Sequence, residues 1–458
     1  MTETHEYDIV VIGGGIVGPA VTYVAAGWMN APRIALLEKE DGLSQVASGH
    51  ESNSQTLHFG DIETNMGLMQ ALRVQGAAEL VAAYLEQHAR DGGLCVRRHK
   101  MCLAVGYAEI TRLRARFDEL KPHYPKIRFL ARDEIAALEP SVVEGRDPAE
   151  PIAALFSPDG FIVNYGRLAE SFEREAKRRN PKVETFTRTR VERLERTPTG
   201  YAIYTNRGTF RARAVAVTAG GYSLVLAKSL GYGRDWELIP VAGSFYRTRR
   251  RNCLRGKVYT EQKPEIPFAA PHGDPEVMTP DETRFGPTAK LIPLLERHRW
   301  GTFWGFLRTV IWNPRGLWAY LAVLFSSPVL LKFVIRNLFL DLPILGKWMY
   351  LRDIRKIVPS MRYDEIELAV GIGGIRPQIV NIRERTLKHG EGKITGEDGD
   401  PIVFLITPSP GASVCLRVAE ETVAQLAAFL GPGTTFDRER FERDHRRTPA
   451  DATTANAE

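Results

Sequence analysis

The sequence predicts an α/β fold, and two observations near its N-terminal end support this prediction. The apolar run Tyr7–Ile12 ends in glycines, which is typical of a buried parallel strand. A helix is predicted from about Gly15 to Gly27, and the apolar segment Arg33–Leu37 then forms a second strand. This strand–helix–strand unit indicates a parallel sheet with helices packed against its faces.

Later segments continue the alternation of helices and strands. Residues 67–92 and Tyr165–Arg179 have the apolar spacing of amphipathic helices, and Tyr201–Arg211 is predicted as a hairpin. Val414–Leu430 is predicted as a long helix that ends at Gly431. No unit of roughly 20–50 residues recurs, which excludes a solenoid or a propeller.

The composition is that of a globular protein. The 458 residues are 44% hydrophobic and 25% charged, which excludes a disordered or collagen-like chain and favours two or three domains. The four cysteines include no C-x-x-C pair, so we expect no metal site, no disulfide framework and a reducing compartment. The N-terminal segment lacks the features of a signal peptide, so a cytoplasmic location is expected.

Residues 300–350 concentrate aromatic and positively charged side chains. The window holds five of the seven tryptophans and much of the surplus of Lys and Arg (61) over Asp and Glu (55). Its uncharged run, residues 316–331, is shorter than the about 20 apolar residues of a membrane-spanning helix. Tryptophans beside cations favour contact with a membrane surface, and packing onto a sheet of the same protein is the alternative. No nucleic-acid-binding module is present, so no nucleic-acid partner is expected.

A glycine motif opens the first predicted helix. Gly13, Gly15 and Gly18 form a G-x-G-x-x-G sequence, and Glu38 ends the second strand 20 residues after Gly18. This is the placement of a Rossmann-like unit, whose helix start binds a pyrophosphate and whose acidic residue binds ribose hydroxyls. An acidic residue in this position, rather than an arginine, disfavours a cofactor with a 2′-phosphate. FAD and NAD therefore remain as candidate cofactors. In an NAD-binding domain, the alternation of strands and helices would continue directly after the second strand. Here the small polar segment 48–54 follows instead, which favours FAD.

Several blocks resemble the FAD-dependent oxidoreductases of the D-amino-acid-oxidase-like superfamily. They are the glycine motif, the polar loop 48–58, Val163–Leu168, Ala216–Tyr222, Gly374–Gln378 and Ser409–Ser413. The resemblance implies bound FAD and an α/β (α+β) architecture. In it, a Rossmann-like FAD-binding domain is interleaved with a mixed-sheet substrate domain that carries the Trp-rich helical insertion. It also implies that the start of the long C-terminal helix faces the flavin and stabilises its anionic reduced form.

Within that superfamily, an ordered set of short motifs is similar to the malate:quinone oxidoreductase family. The set comprises His58 with Glu63 and Asn65, Val163–Gly166, Pro240–Gly243, Pro271–Asp274, Phe285–Pro287, Leu351–Asp353, Pro359 with Ser360, and Arg376 with Gln378. The resemblance implies oxidation of malate to oxaloacetate by hydride transfer to flavin N5, with electrons passed to a membrane quinone. It further implies a peripheral position on the cytoplasmic face of the inner membrane.

Other functions remain open from the sequence. The segment Gln55–His58 and Lys100 depart from the malate:quinone oxidoreductase pattern, and Gly373–Gln378 is closer to the general superfamily. L-2-hydroxyglutarate dehydrogenase and an amino-acid or amine oxidase are therefore alternatives, because a fold does not select C–O over C–N oxidation. The non-enzymatic alternative is a flavin-binding protein that docks a membrane or a partner.

The chain is predicted to cross between its two domains several times. The FAD-binding domain is assigned residues 1–95, 151–235 and 361–435, and the substrate domain residues 96–150 and 236–360, with the Trp-rich segment 300–350 inside the latter. Residues 436–458 are charged or small and polar, and are predicted to form a disordered tail.

The predicted site combines a base, cations and residues that hold the cofactor. Histidine is the natural base for a hydroxyl proton, so His58 and His272 are candidates, and Arg376 can bind a carboxylate through two parallel hydrogen bonds. Lys100, Arg376 and Gln378 are the predicted substrate-binding residues. For the second cation that a dicarboxylate needs, Arg284 and the run Arg247–Arg251 are alternatives to Lys100, and spacing does not choose between them. The predicted FAD-binding residues are Gly13, Gly15, Gly18, Glu38, Lys39, Ser48, Asn53, Ser54, Val191, Ala219, Gly220, Gly374, Gly411, Ala412 and Ser413.

Overall fold

The computed structural model describes residues 4–30, 32–88, 92–262, 270–311, 313–340, 342, 344–388, 390–397 and 399–447. Its strands are β1 (Thr4–Ile12), β2 (Ile34–Leu37), β3 (Cys95–Arg97), β4 (Lys100–Val105), β5 (Arg128–Leu130), β6 (Ile152–Ser157), β7 (Phe161–Val163), β8 (Val183–Phe186), β9 (Val191–Thr197), β10 (Gly200–Thr205), β11 (Gly208–Val217), β12 (Trp236–Ala242), β13 (Tyr246–Thr248), β14 (Lys257–Thr260), β15 (His272–Pro275), β16 (Thr283–Gly286), β17 (Lys290–Leu291), β18 (Ile366–Leu368), β19 (Ile375–Asn381), β20 (Thr386–Lys388), β21 (Gly392–Thr395) and β22 (Ile402–Ile406).

The α-helices alternate with these strands along the chain. They are α1 (Val17–Trp28), α2 (Leu68–Gln87), α3 (Tyr107–Leu120), α4 (Arg132–Leu138), α5 (Pro140–Val143), α6 (Tyr165–Arg179), α7 (Tyr222–Ser229), α8 (Phe303–Phe306), α9 (Pro314–Leu324), α10 (Pro328–Leu338), α11 (Leu345–Ile357), α12 (Cys415–Leu430) and α13 (Arg438–Asp444). Single turns of 3-10 helix lie at Trp300–Thr302 and Tyr363–Glu365, and a π-helix lies at Leu307–Ile311.

The first large sheet contains the predicted strand–helix–strand unit. Its strands β22, β11, β1, β2 and β8 lie in that order and are parallel, while β21, β10 and β9 add antiparallel pairs. Residues 9–12 of β1 and all of β2 are buried, as expected for strands that are covered on both faces. Residues of α1, α6 and α12 share one core with them. The α/β fold class is confirmed.

Two further sheets form the other half of the molecule. One is a mixed sheet with the order β18-β13-β16-β15-β14-β4-β6-β5. The other has the order β17-β12-β19-β20, and its strand β19 carries Arg376 and Gln378. The short strands β3 and β7 form a separate antiparallel pair. This half therefore provides two separate sheets from which side chains can converge.

Two predicted domain boundaries differ from the strand pairing. β6 pairs with β4, and β18 pairs with β13, so both strands belong to the second large sheet. The boundaries at 151 and 361 assigned these strands to the FAD-binding domain. The sequence could not place them because β6 is an apolar strand like those of the first sheet, and only its distant partner determines its sheet.

The prediction of a disordered tail is wrong for residues 436–447. Asp437 caps α13 by accepting a hydrogen bond from Arg440 N, and Phe441 is fully buried against Trp28. Tyr23 Oη lies 3.2 Å from His445 Nε2. The charged pattern concealed this helix because a single apolar side chain anchors it. Residues 448–458 lie outside the described part of the chain.

The Trp-rich segment packs on the four-stranded sheet and also exposes apolar side chains. Ala319, Val323 and Leu330 are buried against Ile239 and Val241 of β12. Among the described residues, no single helix is long and apolar enough to cross a membrane. The helices α9 and α10 meet that test only as a pair, and the pair is bent by 96°. Trp312 and Asp341 lie outside the described residues.

Candidate active site

One cavity of about 490 Å³ brings together most of the residues that the sequence predicted. The predicted residues on its wall are Gly13, Gly15, Glu38, Lys39, Ser48, Asn53, Ser54, His58, Val191, Ala219, Gly220, His272, Gly374, Arg376, Gln378, Gly411, Ala412 and Ser413. Gly18 and Lys100 are not part of this wall. The residues come from both halves of the molecule, so the cavity is a shared site.

The glycine motif forms a backbone turn that side chains would block. Gly13 has φ +109°, and a Cβ atom there would lie 2.6 Å from Thr218 O. A Cβ at Gly18 would lie 1.9 Å from Gly13 O, so Gly18 allows the close approach of α1 to the end of β1. The start of α1 therefore presents backbone N–H groups to the cavity, as a pyrophosphate requires.

Glu38 holds this turn in place. Its Oε2 accepts a hydrogen bond from Gly14 N (2.6 Å), and its Oε1 accepts one from Glu40 N (2.8 Å). Burial raises the pKa of Glu38, and these two hydrogen bonds oppose that effect. Each carboxylate oxygen has further lone pairs, so Glu38 can also accept hydrogen bonds from ribose hydroxyls. The turn and this carboxylate fit the adenosine diphosphate part of FAD.

The polar loop after the second strand is shaped by its own side chains. Ser48 Oγ accepts a hydrogen bond from Ile16 N (3.0 Å), and Asn53 Nδ2 donates one to Gly49 O (2.8 Å). The fully buried Arg284 donates to Asn53 O (2.8 Å). Arg284 therefore supports the loop from behind, and the loop itself lines the cavity.

His58 is paired with a buried carboxylate. Its Nδ1 lies 2.7 Å from Glu63 Oε1, and its backbone N donates to Ser413 Oγ (2.9 Å) just before α12. Although burial alone raises the pKa of Glu63, its hydrogen bond with His58 and the attraction of nearby positive charge lower it to about 2. An ionised Glu63 accepts the proton on Nδ1. Among the described residues, none hydrogen-bonds Nε2, so this nitrogen can take a proton from a ligand.

His272 has a different environment. Its Nδ1 lies 3.0 Å from Ala270 O, and its Nε2 lies 3.2 Å from Asp274 Oδ2. The ring stacks on Tyr259, with centroids 4.5 Å apart, and Tyr259 has an edge contact with His58 at 6.5 Å. The two predicted bases therefore both contact one tyrosine ring.

Arg376 provides a cation on the cavity wall. It lies on β19, two residues before Gln378, and its Nη2 donates to Thr288 O (3.4 Å). Burial lowers the pKa of Arg376 to about 10, which reflects the cost of holding a guanidinium ion away from water. A bound carboxylate would offset that cost and receive two parallel hydrogen bonds.

The prediction that Lys100 binds substrate is wrong. Its side chain is fully buried, lies outside the cavity wall and forms an ion pair of 2.6 Å with Asp61. The ammonium group also lies over the ring of Phe59, 4.7 Å from its centroid. A buried lysine requires such a counter-ion, and pairing of β4 with β6 and β14 turns this side chain inward.

Tyr259 is a cavity residue that the sequence did not single out. Its hydroxyl lies 2.7 Å from Thr56 Oγ1, and its ring contacts both histidines. No motif surrounds Tyr259, and only the pairing of β14 between β4 and β15 brings it to the site. Glu63 was recognisable by its spacing from His58, but its burial was not. Metal ligands do not cluster in groups of three anywhere in the described chain.

Comparison with known proteins defines the class of this one. The model of the DAO family, FAD dependent oxidoreductase, matches residues 8–322. The structure of glycine oxidase from Geobacillus kaustophilus aligns with 95% of this chain and 98% of its own, with a TM-score of 0.65 and 17% identity. L-α-glycerophosphate oxidase from Mycoplasma pneumoniae, solved with FAD bound, covers 92% and 95% with a TM-score of 0.60 and 18% identity. The protein is an FAD-dependent oxidoreductase.

Proteins that are similar in sequence define the family within this class. Malate:quinone oxidoreductase of Helicobacter pylori (strain ATCC 700392 / 26695) is 35% identical over 447 residues, which cover 96% of this chain and 98% of the relative. Probable malate:quinone oxidoreductase of Campylobacter jejuni is 36% identical over 450 residues, covering 96% and 99%. L-2-hydroxyglutarate dehydrogenase of Caenorhabditis elegans is 24% identical and covers 91% and 92%. The chain belongs to the malate:quinone oxidoreductase family.

Proposed function

We propose that this enzyme oxidises malate to oxaloacetate with FAD and passes the electrons to a membrane quinone. The observation that carries the proposal is the His58–Glu63 pair, which shares one cavity with Arg376 and the FAD-binding turn. Relatives named malate:quinone oxidoreductase support malate as the substrate and a quinone as the acceptor. Oxidation of the 2-hydroxyl group removes a proton from oxygen and a hydride from carbon 2.

The proton goes to His58. Its Nδ1–H donates to Glu63, so the neutral ring keeps its lone pair on Nε2, where the substrate hydroxyl proton is accepted. The negative charge of Glu63 then stabilises the imidazolium ion that forms. Ser413 fixes the backbone of His58 and so helps to hold the ring in place.

Arg376 orients the substrate, and the cofactor takes the hydride. The guanidinium group binds the carboxylate next to the reacting carbon, which limits rotation about the bond between them. FAD, when bound, supplies hydride acceptance at flavin N5, a chemistry that no amino-acid side chain offers. Gln378, on the same strand as Arg376, lies at the cavity wall as a further hydrogen-bonding group.

Membrane contact is proposed to involve the Trp-rich segment and to bring the enzyme to its quinone. Trp300, Trp318, Phe325 and Ile344 are 76%, 60%, 65% and 78% exposed, although apolar side chains of this size favour burial. Exposed cations accompany them: Arg308, Arg315 and Lys332. Indole rings with cationic neighbours are typical of helices that lie in the membrane interface. This placement corresponds to a peripheral enzyme on the cytoplasmic face of the inner membrane.

Anaerobic reduction of the bound flavin tests the oxidation. Purified holoenzyme is mixed without oxygen with malate, L-2-hydroxyglutarate, lactate or an amino acid, and flavin absorbance is followed. Malate is expected to bleach the flavin rapidly, and a soluble quinone is expected to restore its colour. His58→Gln is the matched variant, and it should retain FAD while reduction by malate becomes slow.

The other outcomes each identify an alternative. Faster bleaching by L-2-hydroxyglutarate would assign the enzyme to that substrate. Reduction by an amino acid with release of peroxide would indicate an oxidase. Flavin that stays oxidised with all substrates, in a protein that binds vesicles, would contradict the proposal and favour a docking protein.

A further inference from the structure

We propose that a turn formed by residues 295–302 closes the adenosine end of the FAD site and is held there by a ring of four charges. This entry turn leads from β17 into the Trp-rich segment, so it belongs to the half of the molecule that does not carry the glycine motif. The inference goes beyond the proposed function, because it concerns the retention of FAD and does not depend on the substrate.

The adenosine end of the cavity lies around Glu38. Its carboxylate holds the glycine turn and can accept hydrogen bonds from ribose hydroxyls. Thr189 lies beside it, because Thr189 N donates to Glu38 O (2.8 Å), and residues 189–191 all line the cavity. Leu295 and Glu296 of the entry turn line the cavity as well. The ion pairs of the entry turn place these two residues at the same end.

Four alternating charges join the entry turn to the two residues that follow Glu38. Lys39 forms an ion pair with Glu296. Arg299 forms a bidentate ion pair with Glu40, whose Oε2 lies 2.9 Å from Nη2. Lys39 Nζ also lies 3.6 Å from Glu40 Oε1, which joins the two pairs on one side. Arg299 Nη1 lies 3.6 Å from Glu296 Oε2 and closes the ring on the other side.

This charge ring is partly buried. The side chains of Glu296 and Glu40 are only 8% and 17% exposed, so water screens their interactions less than those of fully exposed charges. The hydrogen bond from Arg299 lowers the pKa of Glu40, which therefore stays ionised at neutral pH. Two cations and two anions cancel in the ring. Its contribution to FAD binding is therefore to hold the wall in place rather than to attract the phosphates.

Thr302 fixes the shape of the entry turn. Its Oγ1 accepts hydrogen bonds from Leu295 N (3.2 Å) and Glu296 N (3.3 Å), and it donates one to Arg299 O (2.7 Å). Leu295 also shares an apolar cluster with Phe306 of α8. Because these contacts make the turn one unit, the ion pairs of Glu296 and Arg299 position the part of the cavity wall that Leu295 completes.

A double-substitution cycle, measured through the affinity for FAD, tests the charge ring. Glu40→Gln and Arg299→Gln should each weaken FAD binding by about 10-fold, because each removes hydrogen bonds between charged groups. The double variant should lose no more than either single variant, since both substitutions remove the same pair. Titration of apoprotein with FAD, followed by the quenching of flavin fluorescence, gives the dissociation constants. Arg33→Gln and Glu184→Gln break an exposed pair (3.4 Å) outside the cavity wall and are the matched controls.

Fragments of the cofactor separate this role from a general effect on folding. ADP carries only the adenosine diphosphate part of FAD, whereas FMN carries the flavin and lacks the adenosine. Arg299→Gln should weaken ADP binding by the same factor as FAD binding and leave FMN binding unchanged. A general loss of structure would instead weaken the binding of all three ligands. Calorimetric titration of the apoprotein measures ADP and FMN.

Three results would overturn this role for the entry turn. FAD affinity of Arg299→Gln within a factor of two of wild type would remove the turn from FAD retention. Equal losses for FMN and FAD would make it a purely structural element. A loss in the double variant equal to the product of the single losses would mean that Glu40 and Arg299 act separately. These binding measurements contain no substrate, so they are independent of whether malate reduces the flavin.

Discussion

The carboxylate of Glu63 lies 2.7 Å from Nδ1 of His58, and both side chains are largely buried beside the cavity. The pairing fixes which nitrogen carries the proton in the neutral ring. It also places a negative charge next to the imidazolium ion that forms when His58 accepts a proton. A substitution that keeps the shape of Glu63 and removes its charge separates these effects from packing.

Glu63→Gln is expected to slow flavin reduction by saturating malate by roughly 10²–10⁴-fold. The amide neither fixes the ring as a proton acceptor nor stabilises the resulting cation. Stopped-flow absorbance under anaerobic conditions measures the rate. The half-exposed Glu184 on β8, paired with Arg33, gives the control E184Q, which should reduce normally. An E63Q rate within a factor of three of wild type would contradict the role of Glu63.

Arg376→Lys should raise KM for malate by roughly 10- to 100-fold with a smaller effect on kcat. Lysine keeps the positive charge and loses the two parallel hydrogen bonds to a carboxylate. Arg249→Lys serves as the control, because Arg249 is exposed and pairs with Glu367. Steady-state kinetics with a soluble quinone measure both constants. Equal KM values for wild type and R376K would place the carboxylate elsewhere.

Gly18→Ala should yield protein with little bound FAD. The added Cβ would lie 1.9 Å from Gly13 O, so α1 must move away from the pyrophosphate turn. Gly76→Ala in α2 is the matched control, since its Cβ meets nothing within 4 Å and should stabilise the helix by up to about 1 kcal/mol. The ratio of flavin to protein absorbance gives the occupancy. Full occupancy in G18A would show that the turn tolerates displacement.

The stability of the protein should fall between pH 7 and pH 5 because of His445. Burial lowers the pKa of His445 to about 4, whereas the unfolded chain titrates near about 6.5. Below pH 6.5 the unfolded state therefore binds a proton that the folded state does not. The expected loss in the free energy of unfolding is about 2 kcal/mol at pH 5. Urea unfolding of wild type and His445→Gln measures it, and equal pH slopes would contradict the assignment.

Replacing Trp300, Trp304 and Trp318 together with alanine should weaken binding to vesicles that contain anionic lipid. These exposed indoles supply the apolar area that the interface would bury, so a loss of roughly 10-fold or more is expected. Tyr107→Ala is the control, because this aromatic side chain is 78% exposed on α3, outside the Trp-rich segment. Vesicle sedimentation measures binding. Unchanged binding of the triple variant would indicate that the segment packs only within the protein.

The sequence predicted the parts of the fold that depend on local pattern. The strand–helix–strand unit, the hairpin and the long helix after Ser413 all follow from apolar spacing and glycines. Assignment of β6 and β18 failed because pairing with a distant strand decides the sheet to which they belong. α13 was missed because its one buried apolar side chain, Phe441, is set in a charged helix.

Prediction of the site likewise succeeded for residues in local motifs and failed where long-range contacts decide the environment. Motif residues such as Glu38 and Arg376 were singled out from the sequence, and both line the cavity. Lys100 was misassigned because a charged residue in a strand gives no sign of an inward orientation until its sheet is known. Tyr259 and the different environments of His58 and His272 depend on three-dimensional contacts that no spacing encodes.

The long-range pairing of the strands also has a consequence for folding. Ile12 of β1 pairs with Val217 of β11, and β12 pairs with β19, which begins at Ile375. A nascent chain therefore exposes apolar strands long before their partners are synthesised, and contacts of such separation form slowly. Folding of this enzyme should depend on chaperones during translation. Neither half should fold when expressed as a separate fragment.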